Sequence, residues 1–209
     1  MKPRALVIGA GGHARVVGAS LRFLGIEIVA FVDPAFCAQR QAGVKEMIAG
    51  APVIEDTEVV QRFSPQEHDA YIALGDNTER QARFAQLRLE GYELPALIHP
   101  ESSLNYGVRL GEASCVCLGA RLSSEVRIGT GAIVNTGTLV DHESDVGAFA
   151  HLAPGVSIAG RVHIGEKVFV GVGARVADGL SIGTGAIVGA GSVVLKDVPE
   201  GKKVLGVYH

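Results

Sequence analysis

One of the chain's seven histidines lies between two carboxylates, in the triplet Asp141-His142-Glu143. An imidazole exchanges protons near neutral pH, and a carboxylate on its second nitrogen can orient the ring. Such a group suits a general base. The competing reading is a surface histidine at a turn. Two further histidines follow, His151 after nine residues and His163 twelve beyond that. No serine or cysteine stands out as a nucleophile, so the expected chemistry is direct attack by a deprotonated substrate, with no covalent enzyme intermediate. Cys115 and Cys117 form a C-x-C pair with no second pair to complete a zinc site.

A second cluster opens the chain, Gly9-Ala10-Gly11-Gly12-His13. It is an imperfect dinucleotide fingerprint, because Ala14 stands where the third glycine of G-x-G-x-x-G would be. Asp33 lies 24 residues after Gly9, near where such folds place a ribose-binding acid. The pattern fits a nucleotide or nucleotide-sugar site as well as it fits NAD. A tight turn holding no ligand is the bland alternative.

These groups must be positioned by two different kinds of structure. From Leu104 to Val194, sixteen aliphatic residues recur every sixth position without a slip. A helix shows a period near 3.6 and a strand a period of 2. A period of six predicts a hexapeptide β-helix, one short strand and one turn per hexad. Position 1 points into a narrow core, and position 5, small or slim from Val108 to Val198, also faces inward. Glycine often occupies position 2 (Gly111, Gly129, Gly147, Gly165, Gly171, Gly183, Gly189), which reads as a tight corner. Three hexads make a coil, with strands about 4.8 Å apart along the axis. His142 is the third residue of its hexad and His151 the sixth of the next. Half a coil separates them, so one subunit cannot easily bring both to one site, whereas two subunits side by side can.

The first hundred residues read differently. Strands are expected over 4–9, 27–33, 71–75 and 94–98, with helices over 14–24, 56–63 and 77–90. This alternation implies a small parallel sheet of Rossmann type, whose ligands sit at the carboxyl ends of strands. That gathers the Gly9–His13 loop, Asp33 and Gly75 around one crevice. The expected organisation is an α/β Rossmann-like domain over 1–97 and a parallel β-helix over 98–209.

Composition narrows the classes further. A net charge near −3 leaves no nucleic-acid footprint and no basic membrane patch. No apolar stretch reaches the about 18 residues of a transmembrane helix. The opening MKPRALVIGAGG lacks a signal-peptide layout, and three cysteines do not suggest a disulfide framework. A reducing cytoplasm is the expected home.

The segments ALVIGAGGHARVV, AFVDP, YIALGDN and GAIVNTGTLVDHESDVGAFAHLAPG together resemble a family. It comprises the bacterial acetyltransferases that modify amino sugars on nucleotide carriers, with their sialic acid O-acetyltransferase relatives. The chain departs from the pattern at Gly206-Val207-Tyr208-His209, where family members commonly carry G-V-P-A. The resemblance implies a left-handed β-helix, a homotrimer with active sites between prisms, acetyl-CoA as co-substrate and no metal. It implies His142 as base with Glu143 raising its basicity, Asn135 close to the reacting groups, and His151, Val172 and Ala190 on the coenzyme. The sugar nucleotide would rest on Gly11, Gly12, His13, Asp33, Pro34 and Gly75. The favoured acceptor is a UDP-linked 4-amino-4,6-dideoxy sugar, in surface glycan or glycoprotein sugar synthesis, with GDP- and dTDP-linked sugars open. O-acetylation of a sialic acid is the alternative, and a non-catalytic nucleotide-sugar-binding scaffold a remote one. A zinc enzyme like the γ-class carbonic anhydrases is disfavoured, since no histidine pair lies five residues apart in the repeats.

Overall fold

The computed structural model describes residues 4–39 and 47–209. The chain divides into two compact units, Met1–Leu97 and Ile98–His209.

The first unit is a five-stranded sheet with helices between its strands. In chain order it runs β1 (Arg4–Ile8), α1 (Gly12–Phe23), β2 (Glu27–Val32), α2 (Pro34–Gln39), β3 (Met47–Ile48), β4 (Ala51–Ile54), α3 (Asp56–Arg62), β5 (Asp69–Ile72) and α4 (Asn77–Leu89). Spatially the strands run β3-β4-β2-β1-β5. β1, β2, β4 and β5 are parallel, and β3 is an antiparallel edge. α1 buries Ala14, Val17 and Leu21, and Gly18 lets it close on β2, since a Cβ there would meet the Phe31 ring at 3.1 Å. Three elements were not foreseen: α2, β3 and β4. The expected strand 94–98 is reduced to Leu97–Ile98 and pairs with the β-helix, not with this sheet.

The second unit is a left-handed parallel β-helix with three faces. Face one runs from Leu97–Ile98 through Cys115–Val116, Ile133–Val134, His151–Leu152, Phe169–Val170 and Ile187–Val188 to Lys203–Val204. Face two carries seven strands, from Ser103–Leu104 to Val207–Tyr208, and face three carries five, from Arg109–Leu110 to Ser181–Ile182. Partners on each face are eighteen residues apart through most of the unit, for example Leu122 with Val140 and Val140 with Ile158. Fourteen of the sixteen position-1 residues are buried in one core, and Leu104 and Leu110 at its end are half-buried. Ser144 serves position 5 without leaving its hydroxyl bare: it donates to Ala159 O (2.9 Å) and accepts Val162 N–H (3.1 Å).

The position-2 glycines are required for a reason other than the one expected. None has a positive φ. A Cβ on Gly147 would stand 2.6 Å from Gly165 C and 2.7 Å from Glu166 N, backbone of the next coil. Close stacking, not the turn, excludes a side chain. The left-handed backbone falls at position 4, where Ala113, Glu125, Glu143, Phe149, Arg161 and Lys167 adopt it alongside glycines.

Candidate active site

Two clusters occupy different corners of the β-helix. The first lies where the chain turns from face two to face three. Asp141 accepts the His142 backbone N–H (2.7 Å), and that bond, helped by Ser123, holds its carboxyl below the ordinary range. Glu143 has φ 56°, a conformation that costs a non-glycine residue on the order of 1 kcal/mol. Its carboxylate meets His142 Nδ1 at 3.1 Å. The other edge of the ring leans over Gly160, one coil on: a Cβ at Gly160 would lie 2.6 Å from both Cε1 and Nε2. Asp178, a further coil on, pairs with Arg161 at 2.5 Å. His142 thus has one nitrogen held by a carboxylate and a half-exposed ring. A groove of about 580 Å³ runs along face two beside Asp141, lined also by Arg121, Leu139, Ser157 and Arg175.

The second cluster lies at face one. Asn135 follows the strand Ile133–Val134, which pairs with His151–Leu152, and meets His151 at 3.2 Å between Nδ2 and Nε2. The His151 ring is buried and stands edge-on to Phe169, centroids 5.3 Å apart. Thr136, Pro154, Val172 and Ala190 stack up the adjoining corner, linked by Gly155 N–H to Thr136 O, Gly173 N–H to Pro154 O and Gly191 N–H to Val172 O. Val172 and Ala190 are exposed. The chain therefore brings Asn135 to His151, and His142 to Glu143, but leaves the two histidines on different sides of the prism.

The first unit carries a separate crevice of about 230 Å³ at the carboxyl ends of its strands. Gly9, Asp33 and Pro34 line it, with Asp56, Leu74, Glu79 and Arg83, which sequence reasoning missed. Gly11, Gly12, His13 and Gly75 are not on its wall. Asp33 is already engaged by the backbone, accepting Ala10 N–H and Phe36 N–H at 2.9 Å each. Arg83 pairs with Asp56. No atom stands within 4 Å of where a Cβ would project from Gly11, Gly12 or Gly75, so open space faces all three. α1 starts at Gly12 with no side-chain cap and no acid in its first turn. Its N–H groups form the kind of helix terminus that receives anions.

Among the described residues no group of three or more histidines, cysteines, aspartates or glutamates is placed to hold a metal. Among them, too, no helix is long and apolar enough to cross a membrane.

Comparison with known proteins places the chain. Residues 4–87 match the model of the PglD N-terminal domain. The acetyltransferase domain of PglB from Neisseria gonorrhoeae FA1090 is 33% identical, with a TM-score of 0.89, over 98% of this chain and 97% of that one. Perosamine N-acetyltransferase PerB from Caulobacter crescentus, solved with CoA and GDP-perosamine, is 39% identical, with a TM-score of 0.88, over 97% and 93%. WeeI from Acinetobacter baumannii AYE superimposes equally well, TM-score 0.88, at 27% identity over 98% of this chain and 97% of its own. No curated protein matches significantly. With two solved relatives above 30% identity along almost their whole length, the chain is an acyltransferase and belongs to the nucleotide-amino-sugar N-acetyltransferase family.

Proposed function

We propose that the chain transfers the acetyl group of acetyl-CoA to the amino group of a nucleotide-linked amino sugar, with His142 as general base. The observation that carries this reading is the His142–Glu143 pair. Glu143 on Nδ1 leaves Nε2 to accept a proton. The sugar nitrogen attacks the thioester carbonyl and passes its proton to Nε2. Collapse of the tetrahedral intermediate breaks the C–S bond, and CoA leaves with a proton returned by His142. Backbone N–H groups at a coil corner are the donors for the oxyanion.

The two corners act as halves of a site completed by a neighbouring copy in a homotrimer. His142 and Glu143 come from one subunit, and Asn135, His151, Val172 and Ala190, which line the coenzyme, come from the next. In the first unit, Gly11, Gly12 and His13 at the start of α1 receive the diphosphate, and Asp33, Pro34 and Gly75 border the nucleoside. The reaction belongs in the cytoplasm, with its acetyl-CoA and nucleotide sugars. Nitrogen as acceptor is supported by the names of the relatives, one acting on GDP-perosamine. That enzyme was also crystallised with one histidine replaced by asparagine or by alanine, in both cases with CoA and GDP-perosamine.

The test is release of CoA thiol from acetyl-CoA, with a UDP-4-amino-4,6-dideoxy sugar, GDP-perosamine and sialic acid as separate acceptors. Release with either amino sugar, falling at least about a hundredfold in His142→Ala, is the expected result. Release with sialic acid alone moves the chain to O-acetylation. Silence with all three refutes the substrate class.

A further inference from the structure

Among the described residues Arg80 is the largest fully buried charged side chain, 1% exposed, and the mechanism above does not use it. It lies in the first turn of α4, beneath the loop that leaves β5. Its Nη1 faces three successive carbonyl oxygens, Leu74 O at 3.0 Å, Gly75 O at 3.1 Å and Asp76 O at 3.3 Å, and Nη2 donates to Asn77 Oδ1 at 2.8 Å. This loop borders the glycine loop: a Cβ on Gly9 would lie 3.0 Å from Ala73 O and 3.1 Å from the Leu74 side chain. Gly75 faces open space.

We propose that Arg80 is a positioning residue that fits the Leu74–Asn77 loop to accept a diphosphate beside the α1 terminus. The proposal rests on the nucleotide-sugar reading of this crevice. Two effects act together. Carbonyl oxygens turned into the crevice would repel phosphate oxygens, and Arg80 holds three of them inward. The loop also carries an anion of its own: the Asp76 carboxylate caps α4, accepting Thr78 N–H (2.9 Å) and Glu79 N–H (2.8 Å). A guanidinium buried in the same loop opposes that negative field, and burial keeps it from being screened by water. A lysine cannot reproduce the arrangement, because one ammonium lacks the planar fork that reaches four acceptors.

The test is calorimetric titration of the parent, Arg80→Lys and Arg80→Met with GDP and UDP, and with guanosine and uridine by displacement. KM for acetyl-CoA is measured alongside. The diphosphate that binds the parent is expected to lose about tenfold or more in affinity in Arg80→Lys, as when a charge-assisted contact is lost. Its nucleoside should be held as before, and KM for acetyl-CoA should not change. Arg80→Met should lose more, and Arg80→Lys keeps the test valid if the methionine variant does not fold. An equal loss for nucleoside and diphosphate would show that Arg80 merely supports the loop, and no loss would show that it does nothing there; either overturns the proposal. If neither diphosphate binds the parent while acetyl-CoA does, the nucleotide-sugar reading of the crevice fails first and the proposal with it.

Discussion

Gly160→Ala separates the seating of His142, the proposed base, from the stability of the coil. The added methyl would stand 2.6 Å from both Cε1 and Nε2 of His142, where ordinary contact begins near 3.4 Å. The ring must therefore retreat by about 1 Å, a displacement that can cost on the order of a hundredfold in rate when it moves a reacting group. Its bond to Glu143, 3.1 Å long, is disturbed by the same motion. The backbone does not resist the change, because Gly160 lacks the left-handed φ of the position-4 glycines. The alanine should even stabilise the fold slightly, by about 0.5 kcal/mol, through the unfolded chain. The expected outcome is an unchanged or slightly raised Tm, with kcat about a hundredfold lower. KM for acetyl-CoA should move little. Initial rates and thermal unfolding on one preparation give both numbers. A kcat within about threefold of the parent would refute the reasoning, since the seat would then not control the base.

Other outcomes follow from the same geometry. Glu143→Gln should lower kcat by about tenfold or more, because the amide no longer fixes the orientation of the ring through Nδ1 as the carboxylate does. Gly147→Ala should cost about 2–3 kcal/mol in urea unfolding, since the clashing atoms are all backbone. Gly155→Ala, at φ 69° with nothing nearby, should cost only about 1 kcal/mol. The Arg127 guanidinium holds the Asp145 carboxyl below its ordinary value of 3.8. The stabilisation is complete above that value and lost as pH falls through the depressed one. Asp145→Asn should therefore lower Tm by about 1–2 °C at pH 7 in low salt, less in high salt, and not at all once the pH is well below the depressed value.

The β-helix was legible because its period is enforced at every turn: one slip would carry position 1 out of the core. The phase of the histidines followed from the same count, and so did their separation. The contact between Asn135 and His151 was also within reach, since sixteen residues is one coil less two. What stayed hidden depends on approach between coils. Gly160 looks like any small residue at position 3 until the imidazole of the previous coil is seen above it. The position-2 glycines were read as turn residues because glycine's freedom is a local signal, and stacking is not. In the first unit, β4 was missed because Pro52 interrupts a run of only four residues. α2, from Pro34 to Gln39, is only six residues long, too short for a helical period to show. Arg80 gave no sequence signal, since an arginine in an amphipathic helix normally faces water.

Eighteen residues per coil also restricts how the β-helix can change length. Removing or adding six residues between Asn135 and Val172 would turn everything beyond by one face, a third of a revolution. The hydrophobic core would survive such a change, because every hexad supplies the same inward pair. Val172 and Ala190 would leave the corner above Asn135, and a change falling between His142 and Gly160 would also take Gly160 from its place over the ring. Only whole coils can be gained or lost above these residues while the columns keep their alignment, each altering the height of the wall by about 4.8 Å. Insertions of one hexad should therefore give folded, soluble and inactive proteins.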